Sequence, residues 1–204
     1  MPHHQDPRQW EDEVRALQAG DLRRAPPERP ILFAGSSSIR FWRLRKFFPD
    51  HHPQLLNRGF GGSGLPDLHY FFDELVVRYH PRAIVLYSGE NDLAHGASPA
   101  SVTDHLRQIL TRVTSQLPET QVLILPLKPS PFLWESWNSM QLVNQWIAEA
   151  PANNPLFSTV DTATPLLRPS GVPDPRFYMR DQLHLSQEAY QLWSDLVRPW
   201  LDSR

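Results

Sequence analysis

Five short apolar runs, each with the composition of a β-strand, recur along the chain. Polar or glycine-rich turns and longer segments with helical spacing separate them. The run at 83–87, Ala-Ile-Val-Leu-Tyr, is the strongest of the five. The predicted strands cover 31–34, 54–57, 83–87, 122–125 and 157–160.

The segments between these runs place apolar side chains at helical spacing. Ser98-Pro99 has the form of an N-cap followed by proline at the first helical position. Alternating strands and helices predict a parallel sheet with helices on both faces, and functional residues beyond the carboxyl ends of its strands. The predicted helices cover 66–79, 98–117, 137–148 and 187–201, with a short amphipathic helix at 10–17.

The composition is that of one soluble globular domain. Of 204 residues, 40% are hydrophobic and 21% are charged, and a chain of this length can bury a substantial core. We interpret 1–204 as a single domain whose first 29 residues form an N-terminal helical extension and a linker. The linker is the proline-containing segment 21–30.

Charge and residue usage exclude several classes of protein. A formal net charge of -2 provides no general attraction to nucleic acid or to anionic membranes. The absence of cysteine rules out disulfides and thiolate chemistry. No apolar stretch approaches the roughly 20 residues that span a bilayer, and the first residues lack the apolar segment of a signal peptide. We therefore expect a cytoplasmic protein without a membrane span.

Asp181 and His184 form the most informative pair of polar residues. A carboxylate three residues before a histidine can hold the imidazole in one tautomer and leave its other nitrogen free as a base. Ser37, just after the apolar run at 31–34, is the candidate nucleophile that such a base would activate. Taken singly, a serine after a glycine is usually a turn or N-cap residue, and Asp–His pairs are common on surfaces.

Two further segments follow predicted strands. Residues 59–64 contain four glycines, which suits an ordinary turn, or a loop whose N–H groups approach a developing oxyanion. A phosphate loop is disfavoured because neither the lysine nor the glycine spacing of those motifs is present. Asn91, in Gly89-Glu90-Asn91-Asp92, is either a turn or N-cap residue or a further oxyanion donor.

Together the four segments resemble the SGNH hydrolases, also called the GDSL esterase and lipase superfamily. Ser37, Gly62, Asn91 and the Asp181–His184 pair stand in the order of that family's four blocks, and the resemblance extends over about 31–201. Ser36 replaces the aspartate that usually precedes the family's serine. Gly-Ser-Ser-Ser in the first block resembles a variant subgroup.

The resemblance implies a flavodoxin-like, doubly wound sheet of about five strands and a serine ester hydrolase. Ser37 would attack the ester, His184 would act as the base and Asp181 would orient it. The N–H groups of Ser37 and Gly62 and the Asn91 amide would hold the oxyanion. No metal or cofactor is implied, and the histidines other than His184 fit no metal-ligand spacing.

The substrate is less well defined. Candidate pocket residues are Trp42, Phe132, Trp134 and Arg180, each with packing or a structural contact as the alternative role. The expected partner is a small-molecule ester with a small to medium acyl chain, such as an acetylated carbohydrate or a lysophospholipid-like ester, and the oligomeric state is left open. A thioesterase or arylesterase with the same triad, and a non-catalytic ligand-binding module on this fold, are the alternatives.

Overall fold

The computed structural model describes residues 6–204 and contains a five-stranded sheet. The strands pair in the order β2-β1-β3-β4-β5, and each neighbouring pair is parallel. This is the flavodoxin-like strand order, and it confirms the predicted doubly wound α/β fold. The strands are β1 (Ile31–Gly35), β2 (Leu55–Gly59), β3 (Ala83–Tyr87), β4 (Gln121–Ile124) and β5 (Phe157–Thr159).

Nine α-helices lie within residues 6–204, most of them in the connections between strands. They are α1 (Glu11–Arg23), α2 (Ser37–Arg40), α3 (Leu44–Phe47), α4 (Leu65–Tyr70), α5 (Phe72–Leu75), α6 (Glu90–Ala94), α7 (Pro99–Gln116), α8 (Trp137–Asn153) and α9 (Gln187–Asp202). Short 3₁₀ turns occur at Pro7–Trp10, Pro49–His51, Val77–Tyr79, Trp134–Ser136, Thr164–Leu166 and Pro175–Phe177.

The helices form two layers. Helices α4, α7 and α8, which lie in the connections from β2 to β5, pack side by side on one face of the sheet. Helices α3 and α9 contact each other on the other face. All residues of β1 and β3 are buried, as expected for central parallel strands covered on both sides. The register aligns Gly35 with Gly59 and with Tyr87, so β1, β2 and β3 end at the same edge of the sheet.

Some helices end at other residues than predicted, because the local backbone conformation ends or divides them. The single helix predicted at 66–79 is divided into α4, α5 and a 3₁₀ turn, because Phe71 and Val76 leave helical geometry. His80 then adopts a left-handed conformation, with a φ of 44°, that ends the segment. Helix α7 begins after Ser98, whose hydroxyl accepts the N–H of Ser101 at 3.2 Å, as the N-cap motif predicted.

The N-terminal helix is longer than predicted and is part of the core. Helix α1 continues to Arg23, so the segment expected to be linker from residue 21 starts with helix, and the prolines that follow prevent its extension. Val14 is buried in the core, and Asp21 pairs with Arg58 of β2. Residues 1–5 of the predicted extension lie outside the described part of the chain.

Candidate active site

Ser37 and His184 are 147 residues apart in sequence and are in contact in the fold. The distance from Ser37 Oγ to His184 Nε2 is 3.0 Å, and that from His184 Nδ1 to Asp181 Oδ2 is 2.7 Å. A neutral imidazole protonated at Nδ1 satisfies both contacts, since it donates to the carboxylate and accepts from the hydroxyl. The three side chains therefore have the arrangement of a nucleophile, a base and an orienting carboxylate.

A tight turn holds Asp181 against the imidazole. Asp181 Oδ1 accepts the N–H groups of Leu183 and His184, both at 3.0 Å, which leaves Oδ2 for the ring. Gln182 closes the turn in the left-handed conformation, with a φ of 59°. Partial burial by itself raises the pKa of Asp181, but the hydrogen bonds from the His184 ring and the two N–H groups outweigh it and hold this pKa below its ordinary value.

A sharp turn after β1 presents Ser37 at the carboxyl edge of the sheet. Gly35 has a φ of 140°, and a Cβ at this position would lie 1.8 Å from the carbonyl oxygen of Tyr87 in β3. Only glycine fits so close to a neighbouring backbone. The N–H of Ser36 donates to the same carbonyl at 3.1 Å, and the chain then enters α2 at Ser37.

The glycine loop after β2 brings Gly62 next to Asn91. A Cβ built on Gly62 would lie 4.0 Å from Asn91 Nδ2, and this amide donates to the carbonyl of Ser63 at 3.0 Å. One amide hydrogen is thereby anchored, and the second is left for another acceptor. Gly62 is exposed while its neighbours Gly61 and Ser63 are buried, so it is the point of the loop that a ligand can approach.

Asp92 ties the glycine loop to the segment that carries Asn91. Its two carboxylate oxygens accept the N–H of Leu65 at 3.2 and 3.1 Å. A Cβ on Gly64 would lie 2.9 Å from this carboxylate, so glycine permits the close approach. Burial raises the pKa of Asp92 above its ordinary value.

Trp42 is a core residue, and the prediction that it lines the substrate pocket is wrong. It is 1% exposed, and its indole N–H donates to Ser194 Oγ at 3.0 Å. The rings of Phe33 and Trp193 pack against it, with centroids at 5.3 and 5.5 Å. A side chain enclosed by other aromatic rings, with its polar atom satisfied, offers no surface to a substrate.

The other three candidate pocket residues are accessible. Phe132 is 67% exposed, and its N–H donates to the carbonyl of Gln182 at 3.1 Å, so its loop lies against the turn that carries the carboxylate. Trp134 is partly buried and stacks on Trp137, with ring centroids 6.1 Å apart. Arg180 is exposed at the start of the turn. Contact of these three side chains with a substrate stays a prediction.

Phe41, for which no role was predicted, packs on the imidazole of His184. The ring centroids are 4.9 Å apart at an interplanar angle of 80°, and Phe41 is 41% exposed. It lies four residues after Ser37, and its N–H donates to the Ser37 carbonyl at 2.9 Å. Its position four residues after Ser37, about one helical turn, is the feature of the sequence that could have indicated a place beside the nucleophile.

Helix α1 also reaches the site. Glu13 Oε1 accepts the N–H of Gly61 at 3.0 Å and pairs with Arg40 Nη1 at 3.0 Å. Gly61 lies against the ring of Trp10, where a Cβ would come within 1.9 Å of a ring carbon. The N-terminal extension therefore supports the glycine loop from outside the sheet.

Residues 6–204 contain neither a metal-binding cluster nor a helix that could span a membrane. His, Asp and Glu side chains of this part of the chain form no group of three that could hold a metal ion. None of its helices has the length and apolar character that a membrane crossing requires.

Comparison with known proteins identifies the family. The model of the GDSL-like lipase/acylhydrolase family matches residues 32–192. Platelet-activating factor acetylhydrolase IB subunit alpha1 of Pongo abelii is 26% identical over 175 residues, which cover 80% of this chain and 71% of that protein.

Solved structures show the same fold. A candidate platelet activating factor from Streptococcus pneumonia superposes with a TM-score of 0.82 at 21% identity, covering 95% of this chain and 93% of the other. A GDSL-like lipase from Bacteroides thetaiotaomicron superposes with a TM-score of 0.78 at 18% identity, covering 97% and 98%. The resemblance to the SGNH superfamily is confirmed, and the chain belongs to the GDSL-like lipase/acylhydrolase family of hydrolases.

Proposed function

We propose that the protein hydrolyses carboxylic esters through an acyl-enzyme intermediate on Ser37. The observation that carries this proposal is the continuous chain of contacts from Ser37 Oγ through His184 to Asp181, with distances of 3.0 and 2.7 Å. A serine hydroxyl is a poor nucleophile until a neighbouring base takes its proton, and this geometry provides that base.

In the first half-reaction, Ser37 Oγ attacks the ester carbonyl while His184 Nε2 takes the hydroxyl proton. The resulting imidazolium is stabilised by Asp181, which the turn keeps ionised. The negative charge that develops on the carbonyl oxygen is held by the N–H groups of Ser37 and Gly62 and by the free hydrogen of the Asn91 amide. Each such donor typically contributes about 10²–10³ to kcat.

The second half-reaction restores the serine. His184 gives its proton to the departing alcohol, which leaves an acyl group on Ser37 Oγ. Water then attacks this ester with His184 again as the base, and the products are a carboxylic acid and the free hydroxyl. The same oxyanion donors serve both tetrahedral intermediates, because the charge develops on the same oxygen.

For the substrate we infer a small to medium acyl group, with acetylated carbohydrates and lysophospholipid-like esters as candidates. The relative from Pongo abelii is by its name an acetylhydrolase, which supports testing acetyl esters first. Phe132 and Arg180 are exposed beside the turn that carries Asp181, one apolar and one cationic, which supports testing esters with larger leaving groups as well.

Two alternatives remain to be separated by experiment. A thioesterase or an arylesterase would use the same triad on a different leaving group. A non-catalytic binding module is disfavoured, because ligand binding alone does not require a serine, a histidine and a carboxylate that are linked by hydrogen bonds.

The test compares alanine variants of the three consecutive serines. Ser37→Ala is expected to lose hydrolysis of p-nitrophenyl esters and labelling by a fluorophosphonate probe, because it lacks the attacking oxygen. Ser36→Ala is the matched control, since the buried Ser36 hydroxyl has no hydrogen-bond partner within residues 6–204. Ser38→Ala is expected to keep measurable activity. Labelling that persists in Ser37→Ala would place the nucleophile elsewhere.

The choice of substrate is tested on the wild type. Esters of graded acyl length, an aryl acetate, an acetylated sugar and an acyl thioester are compared by kcat/KM. A preference for the thioester would favour the thioesterase alternative, and absence of turnover on all of them would favour the binding module.

A further inference from the structure

A buried ion pair lies beside the candidate site. Glu90 is 2% exposed and Lys128 is 0% exposed, and Lys128 Nζ contacts Glu90 Oε2. Glu90 immediately precedes Asn91, whereas Lys128 comes from the loop after β4. The mechanism proposed above uses neither side chain.

The carboxylate of Glu90 joins segments that are distant in sequence. Its Oε1 accepts the hydroxyl of Ser38 at 3.2 Å, and its Oε2 accepts the hydroxyl of Tyr87 at 2.9 Å as well as Lys128 Nζ. The Tyr190 hydroxyl, from α9, donates to the carbonyl of Ser38 at 2.8 Å. The nucleophile segment is thus held from two sides by buried hydrogen bonds.

We propose that Glu90 and Lys128 form a positioning pair that fixes Ser37 and Asn91 relative to each other. This inference rests on the proposed function. Ser38 follows the nucleophile and Glu90 precedes the oxyanion donor, so one carboxylate connects the two reacting segments through their nearest neighbours. Misplacing a catalytic group by about 1 Å can cost about 10² in rate, which makes such a connection matter for turnover.

The lysine also balances charge at the site. A buried carboxylate one residue from the oxyanion donor opposes the negative charge that develops there, and the ammonium group of Lys128 at Glu90 Oε2 offsets this repulsion. Replacing a buried ion pair with uncharged residues is often neutral for stability, whereas removing one partner is strongly destabilising. A variant that removes only one of the two charges would therefore lower stability and activity together. A double variant separates the effect on catalysis from the effect on stability.

The experiment measures kcat, KM and melting temperature for Glu90→Gln/Lys128→Met and for Ser38→Ala, with p-nitrophenyl acetate as substrate. The double variant is expected to melt within about 4 °C of the wild type. Its kcat is expected to fall at least about 10-fold, with KM changed less than about 2-fold, because positioning acts on the transition state. Ser38→Ala, which removes only the hydroxyl bound to Glu90, is expected to lower kcat about 3–10-fold.

Ser194→Ala is the matched control. It removes two other buried hydrogen bonds, the one from Trp42 Nε1 at 3.0 Å and the one that Ser194 Oγ donates to the Tyr190 carbonyl at 2.6 Å. It is expected to change kcat less than about 2-fold. A wild-type kcat in either the double variant or Ser38→Ala overturns the positioning role. If the double variant does not fold, the kcat of Ser38→Ala alone tests the positioning role. Activity and labelling that persist in Ser37→Ala overturn the proposed function instead, so the two failures are distinguishable.

Discussion

His184 makes three contacts that define its chemical environment. Nε2 faces Ser37 Oγ, Nδ1 faces Asp181 Oδ2, and the Phe41 ring packs at 80° to the imidazole plane. The first contact lets it take a proton, the second sets its tautomer, and the third shields one side of the ring from solvent. At the scale of single residues, the chemistry therefore depends on how one imidazole is surrounded.

Asp181→Asn tests the second contact. The amide keeps the size of the carboxylate, disturbs the tautomer of His184 and removes the charge that stabilises the imidazolium. We expect kcat/KM to fall by about 10²–10⁴, since the equivalent change in a trypsin-type triad costs about 10⁴ in kcat. A pH–rate profile of both proteins on p-nitrophenyl acetate measures this loss.

The same profile gives the pH dependence. The pKa of Asp181 lies below its ordinary value, so this carboxylate stays ionised over the pH range in which a histidine gains its proton. In Asp181→Asn the acid limb of activity is expected to move to lower pH, because the substitution removes the negative charge that stabilises a positive charge on the base. An unchanged acid limb would mean that another carboxylate orients the base.

The turn from β1 into α2 controls the site at the scale of elements. β1, β2 and β3 end at the same edge, and the segments that follow them carry Ser37, Gly62 and Asn91. A nucleophile at the first position of a helix, two residues after the end of a central strand, requires a sharp change of chain direction. Gly35 makes that change possible, with its Cα hydrogen directed at the Tyr87 carbonyl where a Cβ would collide.

Gly35→Ala is expected to lower the free energy of unfolding by at least about 3 kcal/mol. The φ of 140° is unfavourable for alanine, and the atom that its Cβ would meet belongs to the backbone of a central strand and cannot move aside. Urea denaturation followed by circular dichroism measures the change.

Gly20→Ala is the control for this prediction. Gly20 lies in α1, and a Cβ there meets nothing within 4 Å, so alanine is expected to stabilise the protein by about 0.5–1 kcal/mol. A Gly35→Ala protein as stable as the wild type would mean that the turn can relax.

The whole molecule is organised around one core that includes the N-terminal helix. Val14 of α1 belongs to the same buried cluster as the strands. Asp21 accepts the Tyr79 hydroxyl at 2.6 Å and pairs with the Arg58 guanidinium, whose side chain is 6% exposed. These contacts predict that α1 and the sheet unfold together, in one cooperative transition.

Asp21→Ala tests that cooperativity. It leaves Arg58 buried without its carboxylate, which is expected to cost about 3 kcal/mol or more and to lower the melting temperature of the entire transition by roughly 6–12 °C. Calorimetry is the measurement. Asp104→Ala, which breaks the exposed pair with Arg107, is expected to change stability by less than about 0.5 kcal/mol. A separate early transition for α1, with the main one unchanged, would contradict the prediction.

Periodicity and local motifs predicted the five strands, the longer helices and a parallel sheet, whereas the flavodoxin-like arrangement was implied by the family resemblance. Each predicted strand overlaps an observed one to within about two residues. The apolar signal is strongest in β1 and β3, which are buried over their whole length, whereas the edge strand β5 is only partly buried. Ser98 and its proline predicted the start of α7, since capping involves only neighbouring residues. The four polar blocks identified the family because their order along the chain does not depend on the tertiary structure.

Only the tertiary structure decided which side chains are covered and which groups meet. Trp42 next to the nucleophile segment has the chemistry of a pocket residue, but α9 packs over it and encloses it. Phe41, one residue away, remains accessible and contacts His184. Glu90 and Lys128 pair across 38 residues of sequence, and no local pattern indicates that both are buried. Burial and long-range pairing depend on how separate elements pack, and a linear pattern of residue types does not contain that information.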